Sequence, residues 1–155
     1  MSEIEPLTGA DAGELLTLQR AAYASEAQLY NDAFLPALTQ SLEELVEELG
    51  SHHGIGIRLN GRLIAALRWR VDSGTAHIGR ITVAPDMQGR GLGTLLLRTA
   101  EDRSGADVFE LFTGHLSVAN LRLYEREGYH PTMRMPLREG VELVYLQKHR
   151  HIATE

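Results

Sequence analysis

The segment Ile81-Thr82-Val83-Ala84-Pro85-Asp86-Met87-Gln88-Gly89-Arg90-Gly91-Leu92-Gly93-Thr94 carries the densest chemical signal in the chain. Three glycines fall within five residues, after a run that reads as a strand and before one that reads as a helix. N–H groups at a helix start have no partner inside the helix, and the helix dipole adds positive potential there. Glycine lets such a backbone approach an anion closely and adopt angles that a side chain would forbid. The chemistry implied is a cradle for phosphate or pyrophosphate. A P-loop would place Lys and Ser or Thr after its last glycine, whereas Thr94 follows Gly93 with no Lys. A dinucleotide fold spaces its glycines G-x-G-x-x-G after the first strand of a parallel unit. Here the spacing is G-x-G-x-G. No cysteine is present, which removes thiol nucleophiles and thiolate metal sites. No Ser/His pairing stands out, so no covalent enzyme intermediate and no metal are expected.

The elements that must hold this loop follow from period and punctuation. A short strand is expected over Glu3–Leu7, then a helix capped by Thr8 or Asp11 with Leu15, Leu18 and Ala22 on one face. The stretch Tyr23–Gln40 has no clean period and contains Pro36, so it reads as a loop or broken helix. Ser41 and Glu44 form a capping box before a helix whose apolar stripe is Leu42, Leu45, Val46 and Leu49, closed by Gly50. Gly54–Leu59, the turn Asn60-Gly61 and Arg62–Val71 read as a hairpin, and Asp72-Ser73-Gly74 turns the chain into Thr75–Val83. The glycine loop therefore follows an antiparallel meander, which removes the dinucleotide fold on context as well as on spacing. Thr94–Arg103 reads as a helix, Asp107–Thr113 as a strand, and Val118–Glu127 as a helix stopped by Gly128. Tyr129–Pro136 and Val141–Lys148 read as a final hairpin. With no repeat and no linker, residues 1–155 are expected to form a single α/β domain.

Two motifs in this order resemble the GNAT superfamily of acetyl-CoA-dependent N-acetyltransferases. Gln88-Gly89-Arg90-Gly91-Leu92-Gly93 is similar to its Q/R-x-x-G-x-G/A loop, and Leu123-Tyr124-Glu125 with Gly128-Tyr129 to its second signature. The resemblance implies a central, mostly antiparallel twisted sheet with a splayed strand pair and flanking helices. It implies acetyl-CoA as co-substrate, its pyrophosphate on the amides of Gly89, Arg90, Gly91, Leu92, Gly93 and Thr94, with Gln88 a further cofactor contact. Pantetheine would pair with the strand edge Ile81, Thr82 and Val83, with the Val83 amide polarising the thioester carbonyl. Tyr124 would protonate the departing thiolate, which suits a phenol, whose usual pKa of about 10 lies above a thiol's. The position of a frequent cofactor-contacting Asn is Ser117, and Asn120, one turn before Tyr124, is a second cofactor contact by resemblance. Gly79 stands where a glutamate base often stands. His77, Glu110 and His115 are the candidates to replace it, and a water relay is the alternative.

Composition bounds the rest. The chain has 155 residues, 43% hydrophobic and 23% charged, enough for a core without staples. Its longest apolar run, Leu63–Leu67, is far too short for a membrane span, and the acidic start lacks a signal-peptide layout, so a cytoplasmic protein is expected. Residues 1–50 carry ten acids and one base, and residues 51–155 carry eleven acids and fourteen bases. No broad basic surface for nucleic acid follows from that balance. The expected partners are a small-molecule or peptide amine acceptor, with a homodimer left open. The acidic stretch 26–50, with Glu26, Asp32, Glu43, Glu44, Glu47 and Glu48, would favour a cationic acceptor if it faced the groove. A different acyl donor, or a CoA-binding domain without catalysis, are the alternatives the sequence leaves open.

Overall fold

The computed structural model describes residues 2–150; the ends of the 1–155 span lie outside them. Strand β1 (Ser2–Leu7) leads through a 3-10 turn (Gly9–Asp11) into helix α1 (Ala12–Leu29). Thr8 and Asp11 form a reciprocal capping box on that turn, so Thr8 is the side-chain cap. Helix α1 runs two turns past Ala22, through Tyr23–Leu29, so of the loop and broken-helix readings of Tyr23–Gln40 the structure has the broken helix. Only α2 (Pro36–Thr39) breaks the remainder, with Pro36 at its first position. Helix α3 (Leu42–Ser51) starts on the Ser41–Glu44 capping box. Leu45 and Leu49 are buried, but Leu42 and Val46 are exposed, so the stripe is half as wide as expected.

Strands β2 (His53–Leu59), β3 (Arg62–Asp72) and β4 (Thr75–Val83) form the meander. Both of its turns have positive φ at the central residues, Asn60 and Gly61, then Ser73 and Gly74. Helix α4 (Leu92–Ser104), β5 (Val108–Gly114), α5 (Val118–Arg126), β6 (His130–Arg138) and β7 (Val141–His149) follow. The seven strands form one sheet in the order β1-β2-β3-β4-β5-β7-β6. Every pairing is antiparallel except β4 with β5, the join between the two halves. Two apolar clusters cover the sheet. Leu96, Leu97, Ala100, Tyr124 and Tyr129 pack on Ile55, Leu67 and Phe109, while Leu15, Leu45 and Leu49 pack with Leu7 and Ala66. Strand β3 is buried continuously from Leu63 to Trp69, which explains its unbroken apolar run.

The join is short. Only Thr75, Ala76 and His77 of β4 pair with Val108, Phe109 and Glu110, after which the two strands part. A bulge in the β3–β4 ladder lies at this divergence, where Arg80 has φ of +55°. Hydroxyl Oγ1 of Thr82 closes it by donating to the Arg80 carbonyl at 2.8 Å. No helix among the described residues is long and apolar enough to cross a membrane.

Candidate active site

The gap between β4 and β5 opens into two adjoining cavities. The first, of about 380 Å³, is walled by the glycine loop, the start of α4, Ile81 and Val83 of β4, and α1 and α5. The second, of about 670 Å³, lies over the splay and is closed by α1, α2 and the last hairpin. Tyr23, Glu26, Ile81 and Asn120 line both.

The backbone builds the first cavity. Gly89 has φ of +79° and Gly91 of +77°, and a Cβ built on either meets no atom within 4 Å. Side chains there would be strained and would project into the open space facing α4. Gly91 is the N-cap of α4, so the N–H groups of Leu92, Gly93 and Thr94 are among its unpaired first donors. A phosphate group fits this cradle in size, sign and donor set. The strand edge beside it is equally available. Ala84 donates to the Ile64 carbonyl at 2.8 Å, so by antiparallel alternation Thr82 also faces β3, while the N–H and C=O of Val83 point into the gap. Tyr23 donates from its hydroxyl to the Ile81 carbonyl at 3.4 Å.

Of the expected cofactor contacts, Ile81, Val83, Gln88, Gly89, Gly91, Leu92, Gly93, Thr94 and Asn120 line this cavity; Arg90 and Thr82 do not. Ser117 lies in the second cavity instead, at the N-cap of α5. Its hydroxyl donates to Glu26 Oε2 at 2.7 Å and sits 2.6 Å from the Tyr30 hydroxyl. Gly114 makes room for that tyrosine, whose hydroxyl also accepts the Leu116 N–H. This buried network pins the end of α1 to the β5–α5 loop.

Tyr124 is 5% exposed, and it lines the second cavity. Its hydroxyl has no hydrogen-bond partner among the described residues. Burial, with Tyr23 and Glu26 nearby, raises its pKa well above the ordinary phenol value, so the proton is held. His77 and Glu110 stand opposite each other on β4 and β5, with Nδ1 and Oε1 3.4 Å apart, and both line the second cavity. Gln147 donates to the other Glu110 oxygen at 2.8 Å. His115 lines neither cavity: its Nδ1 accepts the Glu142 N–H at 3.0 Å and fastens a turn.

The acidic stretch is divided. Glu44 is used in its capping box, and Glu43 and Glu47 are exposed on the outer face of α3. Glu26, Asp32 and Glu48 reach the second cavity, where Arg68, Arg70, Arg80 and Arg138 also stand. The sequence reading missed Tyr23, Tyr30, Arg68 and Arg80, and named Glu26 only as part of the acidic stretch. Tyr23 and Glu26 continue the face of α1 that begins with Leu15 and Leu18, and extending that helix was the one signal that could have found them. Among the described residues no group of three or more His, Cys, Asp or Glu could hold a metal ion.

Comparison with known proteins agrees with this geometry. Residues 21–129 match the model of the acetyltransferase (GNAT) family. Two Bacillus subtilis proteins are similar in sequence. One, the UPF0157 protein YqkA, is 26% identical over 133 residues, 85% of this chain, which spans 38% of that protein's length. The other, an S-(2-succino)cysteine N-acetyltransferase, is 27% identical over 150 residues, 89% of this chain and 90% of its own. Among solved structures, the PaiA N-acetyltransferase of Thermoplasma acidophilum in complex with coenzyme A superposes with a TM-score of 0.79 at 17% identity, over 97% of this chain and 99% of that one.

Proposed function

Because this chain belongs to the acetyltransferase (GNAT) family, we propose that it moves an acetyl group from acetyl-CoA to a primary amine by direct attack. The observation that carries this reading is the continuity of the first cavity. A backbone cradle for phosphate runs without interruption into the unpaired edge of β4, and that edge adjoins the second, larger cavity. Gly89, Gly91, Leu92, Gly93 and Thr94 would hold the pyrophosphate, and the Val83 edge the pantetheine arm. Acetyl-CoA supplies an activated acetyl group whose leaving group is a thiolate.

The chain's own groups then have distinct tasks. The Val83 N–H, held rigid by the sheet, donates to the thioester carbonyl as its oxygen gains charge. Tyr124 gives its proton to the departing sulfur. Burial makes this phenol a weak acid at rest, and the positive charge that develops on the attacking nitrogen lowers its pKa when the proton is needed. His77 lies six residues from Val83, roughly 20 Å along an extended strand. A proton lost by the amine therefore reaches the His77–Glu110 pair through water in the second cavity. The Bacillus subtilis relative named for S-(2-succino)cysteine supports the reaction class, acetylation of a small amine.

The test is thiol release from acetyl-CoA across a panel of small amines and peptides, with mass spectrometry of the product. Acetylation of at least one amine, dependent on Tyr124, is expected. Thiol release unaffected by any amine would contradict the reading.

A further inference from the structure

Arg68 is 2% exposed, yet all of its partners sit on one nitrogen. Nη2 meets Glu48 Oε2 at 3.0 Å, Gln19 Oε1 at 3.1 Å and Gln40 Oε1 at 3.5 Å, while Nε and Nη1 are buried with no partner among the described residues. Beside it across the β3–β4 ladder stands Arg80, whose Nε is also buried without a partner. No carboxylate lies within 4 Å of Arg80 among the described residues. Among the described residues its remaining guanidinium nitrogens make no hydrogen bond, and both arginines line the second cavity.

The acids of that cavity are already engaged. Glu48 is held by Arg68 and Gln40, Glu110 by His77 and Gln147, Glu26 by Ser117, and Asp32 faces Arg138 at 3.9 Å and accepts the Phe34 N–H. Two adjacent guanidiniums thus have one carboxylate within 4 Å between them, and Arg80 has none of its own among the described residues. Arg80 also occupies a left-handed backbone conformation that glycine would adopt freely. A cation kept at such a position, next to another cation and with no protein anion, is arranged for an anion from outside.

We propose that Arg80 and Arg68 form a carboxylate subsite in the second cavity, and that the acceptor is an amine that also carries a carboxylate, as an amino acid does. A carboxylate in the cavity would supply the anionic partner that the Arg80 guanidinium lacks. The inference rests on the acetyl-transfer reading for the amine end and on the arginines alone for the anion end. It departs from the cationic acceptor that the acidic stretch suggested: Glu43, Glu44 and Glu47 do not line this cavity, and Glu26, Asp32 and Glu48, which do, already have partners.

The experiment has a binding arm and a turnover arm. Melting is followed with sodium succinate against sodium chloride at matched ionic strength, and separately with acetyl-CoA. Turnover compares amines paired with and without a carboxylate: 4-aminobutyrate with butylamine, and lysine with cadaverine. Succinate is expected to raise the melting temperature, and the carboxylated amines to show roughly tenfold or higher kcat/KM, mostly through KM. Arg80→Gly relieves the backbone and so folds. It should keep the acetyl-CoA shift, lose the succinate shift and turn over both members of each pair alike. An unchanged succinate shift in Arg80→Gly, or equal turnover of the pairs by the unsubstituted protein, overturns the subsite. Loss of the acetyl-CoA shift with the succinate shift intact would instead overturn the transferase reading and leave the subsite standing.

Discussion

The two cavities that meet at Tyr23, Glu26, Ile81 and Asn120 are made by different means. The smaller is backbone: two glycines with positive φ, a helix start and an unpaired strand edge, all within Ile81–Thr94. The larger is side chain, assembled from α1, α2, α3, β3, β4, β5 and the last hairpin, with partners up to 108 residues apart, as in Arg138 with the Tyr30 carbonyl. A site made of local backbone is written in a contiguous motif and suits a ligand common to many proteins. One made of convergent side chains suits a ligand particular to this one.

The contrast is tested most severely where the cavities meet. Tyr124→Phe keeps the ring and removes the proton, so kcat should fall about 10²–10⁴-fold while acetyl-CoA binding is retained. Rapid-quench turnover beside a binding titration checks this, and near-normal kcat would make water the acid.

Next is the buried cation of the larger cavity. Glu48→Ala strips Arg68 of its carboxylate and should cost roughly 3 kcal/mol, a fall of roughly 6–12 °C in melting temperature. Glu47→Ala, one residue earlier on the exposed face, should move the melting temperature by under about 2 °C. Calorimetry on both variants separates a working acid from a solvating one, and equal losses would deny the distinction.

The smallest expected effect is on pH. The rate should rise as the acceptor amine loses its proton, then hold level through about pH 10, because burial keeps the Tyr124 phenol protonated beyond its usual range. A kcat/KM profile that falls again below pH 10 would show a phenol not raised by its surroundings.

Local chemistry was legible in the sequence and convergent chemistry was not. The Ser41–Glu44 cap, the Asn60-Gly61 turn and the glycine loop depend on neighbours a few residues away, and the structure has each of them. The end of α1 was hard to see because Tyr23 and Glu26, which continue its inner face, are polar groups that serve cavities and a hydrogen-bond network where a plain core face would be apolar. Leu42 and Val46 were overread, since a ten-residue helix lying on a narrow seam buries only Leu45 and Leu49. Arg68 sat in an apolar strand with nothing nearby to announce Glu48 and Gln19, which lie 20 and 49 residues before it.

Whether the glycine cradle and the β4 edge together bind acetyl-CoA is answered by one titration. Melting is measured for the unsubstituted chain and for Gly91→Val with acetyl-CoA, NAD and ATP. The valine fills the open space at Gly91 and lowers the free protein's melting temperature through backbone strain, so each shift is read against its own unliganded protein. Stabilisation of about 2.7 kcal/mol is expected from acetyl-CoA at a hundredfold excess over its Kd, with none of that size from NAD or ATP and no shift in Gly91→Val. Equal stabilisation by NAD, or an acetyl-CoA shift that survives the valine, would contradict binding at this cradle.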